Sequence, residues 1–171
     1  MNTTDRPSDA ALLERARSLC NQACFTVALQ RRRVRADEPE DEVFVFRCWA
    51  DLQFLIVALR RLRRAAQIAA RVPRVGLAVT AAIDVFDTEL PGLATMRNVG
   101  EHVDDYAVDA PKRYHKGVAR RQLQSGTWDG TVFAWLGHEL DIDVAMQAAE
   151  RLFLAVKSAA ASLDEVERLR V

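Results

Sequence analysis

Arg97, Asn98 and His102 place side chains suited to proton transfer and anion binding within six residues of one another. A histidine titrates near neutral pH, so it can act as a general base or a general acid. An arginine carries a planar guanidinium that can bind two phosphoryl oxygens and stabilise charge growing in a transition state. On a straight helix Arg97 and His102 lie about 140° apart, with Asn98 on the His102 edge. One helix therefore does not easily bring the arginine and the histidine together.

The spacing of Arg97 and His102 resembles the Arg-x4–6-His motif of the HEPN superfamily, and the polar Asn98 directly after the arginine also fits. Proteins of this superfamily are mostly α-helical bundles. Many are metal-independent ribonucleases of toxin–antitoxin, abortive-infection and CRISPR-associated systems. The resemblance implies a bacterial toxin or phage-defence endoribonuclease that cleaves single-stranded RNA. It implies no metal or other cofactor, and a cognate antitoxin as a further partner.

The resemblance also implies a role for each residue of the motif. His102 would take a proton from the RNA 2′-OH or give one to the leaving 5′-oxygen, and Arg97 would stabilise the pentacoordinate phosphorane. Asn98 would orient the imidazole from the same edge. In the family two chains pair so that both motifs face a shared cleft, which implies a homodimer.

The motif belongs to the fourth of five predicted helices, which we expect to begin at Pro91 and end before Pro111. Because Gly100 is a poor helix former, we expect another backbone to approach closely there. A second chain would pair across the apolar face of this helix. That face has five members: Leu93, Met96, Gly100, Val103 and Ala107.

Apolar periodicity predicts the other four helices over residues 9–35, 41–72, 75–89 and 144–168, with caps at Asp9 and at Asp141 or Asp143. The first half of the second helix is apolar nearly all round, so we expect it at the centre of the core. Its aromatic residues are then core residues: Phe44, Phe46, Trp49 and Phe54.

Glycine, β-branched and aromatic residues over 117–137 predict one β-hairpin with a tight turn at Asp129-Gly130. It should pack on the helices through Trp128, Phe133 or Trp135, and His138-Glu139 after it is expected to be a solvated turn. The predicted fold class is all-α, an up-and-down helical bundle of about five helices with a small β-hairpin before the last helix. Residues 1–171 are expected to form a single HEPN-like domain.

Charge is segregated along the chain. Residues 52–83 hold six arginines and no acid, 84–109 hold seven acids and one arginine, and 110–128 hold five basic residues and no acid. One interpretation is that the blocks pair with each other between helices. The other is a basic groove for a phosphate backbone. The RNA-binding residues would then be Arg60, Arg64, Arg71, Lys112, Arg113, Arg120 and Arg121.

Two alternatives compete with the ribonuclease. In the first, the chain is a non-catalytic helical-bundle protein that binds a partner or nucleic acid, and Arg97 and His102 are structural. Arg97 would then form a helix ion pair with Glu101, one turn away. In the second, the chain is a metal-dependent helical-bundle enzyme with ligands among Glu101, His102, Asp105 and His115.

Composition limits the class of protein. The chain has 171 residues, a formal net charge of zero and 50% hydrophobic residues, which excludes chain-wide disorder and a uniformly basic nucleic-acid protein. No secretory signal opens the sequence, and the apolar stretch over 43–59 is too short and too charged for a membrane span. We expect a cytoplasmic protein without membrane contact. Its three cysteines are expected to be buried thiols.

Overall fold

A helical bundle carries a small sheet near its C-terminal end. The structure is a computed structural model that describes residues 7–36, 42–124 and 126–168, where it contains six α-helices and one three-stranded antiparallel sheet. A short 3-10 helix at Arg120–Leu123 precedes the sheet. The helices are α1 (Asp9–Val34), α2 (Glu42–Ala69), α3 (Gly76–Glu89), α4 (Leu93–Glu101), α5 (Val103–Ala107) and α6 (Ile142–Arg168), and the strands are β1 (Gly126–Trp128), β2 (Val132–Trp135) and β3 (His138–Asp141). The predicted helical bundle is confirmed.

The core lies between α1, α2 and α6. α1 and α2 run antiparallel, because the Sγ of Cys20 lies 3.8 Å from the carbonyl oxygen of Leu62 while Arg33 Nε donates to Asp51 Oδ1 at 2.8 Å. α3 packs on α2 and α6, and α4 packs on α2. Apolar residues at helical spacing fill this core, which is why the sequence periodicity located the helices. The largest fully buried aliphatic side chains include Leu13, Leu52, Leu55, Ile56, Leu59 and Leu62.

Two helix starts are set by side-chain caps. Ser8 caps α1, accepting a hydrogen bond from the Ala11 N–H at 3.2 Å, so the predicted cap at Asp9 is wrong by one residue. Asp141 caps α6, because its carboxylate accepts hydrogen bonds from the backbone N–H groups of Asp143 and Val144. Of the two predicted caps for this helix, the first is therefore the one used.

The predicted hairpin is the first half of a three-stranded meander. β1 pairs with β2 across the predicted Asp129-Gly130 turn, and β2 pairs with β3 across Leu136 and Gly137, both at positive φ. Thus His138 belongs to a strand and not to a solvated turn. The sequence signal for β3 is weak, because Leu140 is the one fully buried side chain in that strand.

The sheet packs on α2 through aromatic contacts. The Trp49 ring meets Phe133 and Trp135 edge-on, with ring centroids 5.3 and 5.7 Å apart. Phe133 and Trp135, two of the three expected anchors, are buried. The packing explains how so small a sheet is held in place.

The predicted fourth helix is broken into two. α4 begins at Leu93, two residues after Pro91, and ends at Glu101, because His102 leaves the helical region with φ −124° and ψ 37°. Gly100 lowers the cost of ending the helix nearby. The short α5 then carries Tyr106 into the core, where its hydroxyl accepts a hydrogen bond from the His115 N–H at 2.9 Å. Burial of this tyrosine fixes the direction of the second segment.

One side of α2 faces solvent, which corrects the expectation of a fully central helix. Phe46 is 74% exposed and Phe54 is 60% exposed, while Trp49 is half-buried. The side chain of Phe44 lies outside the described residues. An apolar pattern on all sides of a helix did not reveal which side the other elements leave uncovered.

Candidate functional site

Arg97 lies in a groove between α2 and α4. The groove has a volume of about 310 Å3, and Trp49, Gln53, Gly100 and Trp135 are among its lining residues. The guanidinium forms an ion pair with Glu101, one turn further along α4, and the Arg97 side chain is 19% exposed. The arginine is therefore oriented by a carboxylate and largely sheltered.

Gly100 shapes the floor of this groove. A Cβ at position 100 would lie 3.0 Å from Gln53 Oε1 and 3.6 Å from the Trp135 ring. The close approach expected at Gly100 thus comes from side chains of the same chain, and not from another backbone. A larger residue there would fill the space beside Arg97.

His102 stands apart from that groove. It is exposed at the junction of α4 and α5, and its side chain makes no hydrogen bond or ion pair with any residue that the structure describes. Its backbone N–H donates to the Asn98 carbonyl oxygen at 3.1 Å, and the Asn98 side chain is half-buried one turn away. His102 is not among the groove's lining residues. Within one chain, Asn98 and His102 are neighbours while Arg97 serves a different surface.

The predicted apolar face of the fourth helix is divided by burial. Leu93 and Met96 are buried in the chain's own core, so they are not available to a second chain. Val103 is 49% exposed and Ala107 is exposed. The helical periodicity of the sequence predicts that Gly100 lies on the buried face of this helix, but Val99 is buried there instead. The correction follows from the orientation of α4 on α2.

The arginine-rich half of α2 divides among different surroundings. Arg63 donates to both oxygens of Asp87 on α3, at 2.6 and 2.5 Å. Arg60 is half-buried, and Arg64 and Arg71 are exposed. The Arg63–Asp87 pair matches the interpretation in which charge blocks pair between helices. The arginines beside it keep an excess of positive charge.

The second predicted basic block forms its own depression. Arg113 and Arg120 both pair with Asp109, at 3.0 and 2.9 Å, while Lys112 and Arg121 are exposed. A shallow pocket of about 530 Å3 is lined by Arg113, Arg120 and Arg121, but not by Lys112. The predicted RNA-binding residues therefore fall into two groups, and in the described part of the chain no common depression is lined by members of both. One carboxylate already partly neutralises the second group.

The cysteines are structural. Burial raises the pKa of the Cys20 thiol to about 12, and burial also raises the pKa of Cys24 and Cys48. A thiol held protonated is a poor nucleophile and a poor metal ligand. Cys20 and Cys48 are buried, as expected for all three cysteines, whereas Cys24 is only half-buried.

Metal ligands do not gather in the described part of the chain. No group of three or more histidine, cysteine, aspartate or glutamate side chains there has the geometry to hold a metal ion. Of the four ligands weighed for a metal enzyme, Glu101 binds Arg97. His115 Nδ1 lies 3.5 Å from Thr95 Oγ1. The described residues therefore contain no assembled ligand set for the metal-dependent enzyme.

Sequence reasoning missed the groove around Arg97. Trp49 and Gln53 come from α2, more than forty residues earlier in the chain. The half-polar face of α2 at Gln53 was the one available signal.

Among the described residues, no helix is both long and apolar enough to cross a membrane. Comparison with protein-family models, curated proteins and solved structures gave no match.

Proposed function

We propose that this chain is a HEPN-like, metal-independent endoribonuclease of the toxin or phage-defence type, acting on single-stranded RNA. The observation that carries the proposal is the exposed, unpartnered imidazole of His102, which ends a helix five residues after a sheltered arginine. A histidine without a structural role is available for proton transfer. An arginine already oriented by Glu101 is suited to an anion.

In this mechanism the RNA supplies its own nucleophile. The His102 imidazole removes the proton of a 2′-OH, and the 2′-oxygen attacks the adjacent phosphorus. The bond to the 5′-oxygen breaks as an acid returns a proton to it, leaving a 2′,3′-cyclic phosphate and a 5′-OH. Arg97 stabilises the extra negative charge of the phosphorane. Asn98, one turn from His102, would orient the imidazole once RNA is bound, since the two side chains are not hydrogen-bonded in the free chain.

Two copies complete the site in this proposal. Arg97 and His102 of one chain serve different surfaces, so a second copy must bring its own edge to the shared cleft. Phe54 and Val103 line the groove that holds Arg97 and are exposed, and Phe46 is exposed further along α2. Covering such surface favours association. The partner face is therefore the exposed side of α2 with the end of α4, and not Leu93 and Met96.

The Arg97–Glu101 ion pair favours one competing function, a non-catalytic binding module. In that case the pair stabilises α4, and the motif has no chemical role. A carboxylate beside the arginine would also oppose the approach of a phosphate. The two functions differ in whether RNA is cleaved at all.

The test is cleavage of a single-stranded RNA by purified protein in the presence of EDTA. We expect products ending in a 2′,3′-cyclic phosphate. A matched RNA with 2′-deoxy at the cleaved nucleotide should stay intact there, because it lacks the nucleophile. Absence of cleavage between pH 5 and 9, with RNA bound, would instead support the binding module.

A further inference from the structure

Arg60 differs from Arg63 and Arg97 because it has no carboxylate partner among the described residues. It makes no hydrogen bond or ion pair with any residue that the structure describes, and its Nε is fully buried. Burial lowers its pKa, and the nearby charges of Arg63, Arg64 and Arg97 lower it further. The Nε of this guanidinium is therefore removed from water without a hydrogen-bond acceptor.

The neighbouring acids are already engaged or distant. Asp87 raises the pKa of Arg60, but both its oxygens accept hydrogen bonds from Arg63. Glu101 pairs with Arg97. Asp84 acts on Arg63 and is exposed. Arg60 and Arg64 are therefore left without a carboxylate partner among the described residues, and of the two only Arg60 has a buried nitrogen without a hydrogen bond.

Arg60 also continues the line of the groove. It lies two helical turns after Gln53 on α2, and Val57 between them lines the groove with Arg97. Arg64 follows one turn later and is exposed. Because Arg64 lines the groove against α1, a ligand that extends along α2 from the Arg97 groove would meet Arg97 and then Arg60.

We propose that Arg60 forms a phosphate-binding subsite that holds an RNA phosphodiester next to the one bound by Arg97. The identification of the ligand as RNA rests on the proposed function; the need for an oxyanion rests on the unpaired guanidinium. An oxyanion supplies the missing counter-charge, and arginine can bind two of its oxygens at once. Arg60 then sets where the strand lies relative to the reacting phosphate.

The test compares Arg60→Gln with Arg61→Gln. Arg61 is the adjacent, exposed arginine, and it lines a different groove against α1. The probe is a fully 2′-O-methylated RNA, which can bind but cannot be cleaved. Its binding is measured by fluorescence anisotropy at several salt concentrations. We expect Arg60→Gln to weaken binding roughly tenfold. The slope of log affinity against log salt should shrink by about 0.7. Arg61→Gln should change affinity less than twofold.

Thermal melting supplies a second measurement that does not depend on RNA. Because the Arg60 charge is unpaired, Arg60→Gln should melt at the wild-type temperature or above it in chloride buffer. Inorganic phosphate at matched ionic strength should raise the melting temperature of the wild type more than that of Arg60→Gln. A large drop in melting temperature for Arg60→Gln without phosphate would overturn the proposal.

The outcomes separate this subsite from the proposed nuclease. Binding that depends on Arg60, without cleavage of ordinary RNA, would keep the subsite and reject the nuclease. Cleavage with equal affinities for the Arg60 and Arg61 variants would reject the subsite alone. Stabilisation by phosphate through Arg60, with RNA affinity unchanged, would identify free phosphate as the ligand and overturn the strand-binding role.

Discussion

At position 102 the imidazole is exposed between α4 and α5 and packs against little, so His102→Ala removes a proton-transfer group and few contacts. We expect RNA cleavage to fall about 10²–10⁴-fold. The free energy of unfolding should change by less than about 1 kcal/mol. Cleavage assays beside thermal melting measure both quantities. The control is Asp104→Ala, an exposed neighbour without an ion pair among the described residues. Lower stability with unchanged cleavage would contradict the catalytic role.

Arg97 presents a different case, since its side chain is mostly buried and paired. Arg97→Ala should lower cleavage about 10²–10³-fold by removing transition-state charge stabilisation. Its cost in stability should stay near 1 kcal/mol or below, because a helix pair at this spacing contributes only about 0.2–0.5 kcal/mol.

Glu101→Gln separates the two roles of Arg97. It breaks the same ion pair while leaving the guanidinium in place. The free energy of unfolding should therefore fall by the contribution of that pair, while most of the RNA-cleavage activity is retained. Equal losses of stability in Arg97→Ala and Glu101→Gln, with wild-type cleavage in both, would assign Arg97 a structural role only.

Among the elements, α1 and α6 are joined by one carboxylate. Asp143 accepts hydrogen bonds from Arg31 at 2.7 and 2.9 Å and from Arg35 at 2.5 Å, and these arginines hold its pKa below the ordinary value. A lowered pKa in the folded state stabilises the fold above the unfolded-state pKa. That contribution disappears as pH falls through the folded-state pKa.

Asp143→Asn should therefore melt below the wild type at pH 7, and the difference should shrink as pH falls below about 4. Thermal melting from pH 3 to pH 7 gives the comparison. Asp104→Asn, which removes an exposed carboxylate without an ion pair in the described part of the chain, should show no such pH-dependent difference. If the melting temperatures of Asp143→Asn and the wild type differed by the same amount at every pH, the ionic contribution of Asp143 would be contradicted.

The elements also show how far local pattern reaches. The break at Leu90-Pro91-Gly92, the turn at Asp129-Gly130 and the cap at Asp141 were predictable, because each depends on the backbone preferences of a few adjacent residues. The end of α4 at Glu101 was not predictable in the same way. It accompanies the burial of Tyr106, whose hydroxyl binds the His115 N–H beyond the end of α5, and helix periodicity alone does not predict that burial.

For the whole molecule, the prediction is a homodimer formed through the exposed side of α2. Phe54→Glu places a charge at the centre of that surface and should give a monomer by light scattering at micromolar concentration, with a parallel loss of cleavage. Leu77→Glu is the matched control, because Leu77 is 88% exposed on α3 outside this surface. A monomeric wild type, or a dimer unaffected by Phe54→Glu, would contradict the prediction.

The sequence by itself determined where the helical segments lie, apart from the break at His102, and which residues could do chemistry. Helix position follows from apolar spacing within a segment, and the Arg97–His102 motif is a matter of adjacent residues. Both are local properties, so they can be recognised without knowing which other segments each one contacts in the fold.

Only the tertiary structure decided how those residues are arranged. It separated Arg97 from His102, joined Arg63 to Asp87, and left Arg60 without a counter-charge beside Arg97. It also exposed Phe46 and Phe54 on the half of α2 that is apolar nearly all round. The physical reason is that burial and charge compensation depend on which distant segments meet. The apolar pattern of a helix shows which of its faces can be buried. The packing of the other elements decides which of those faces are buried.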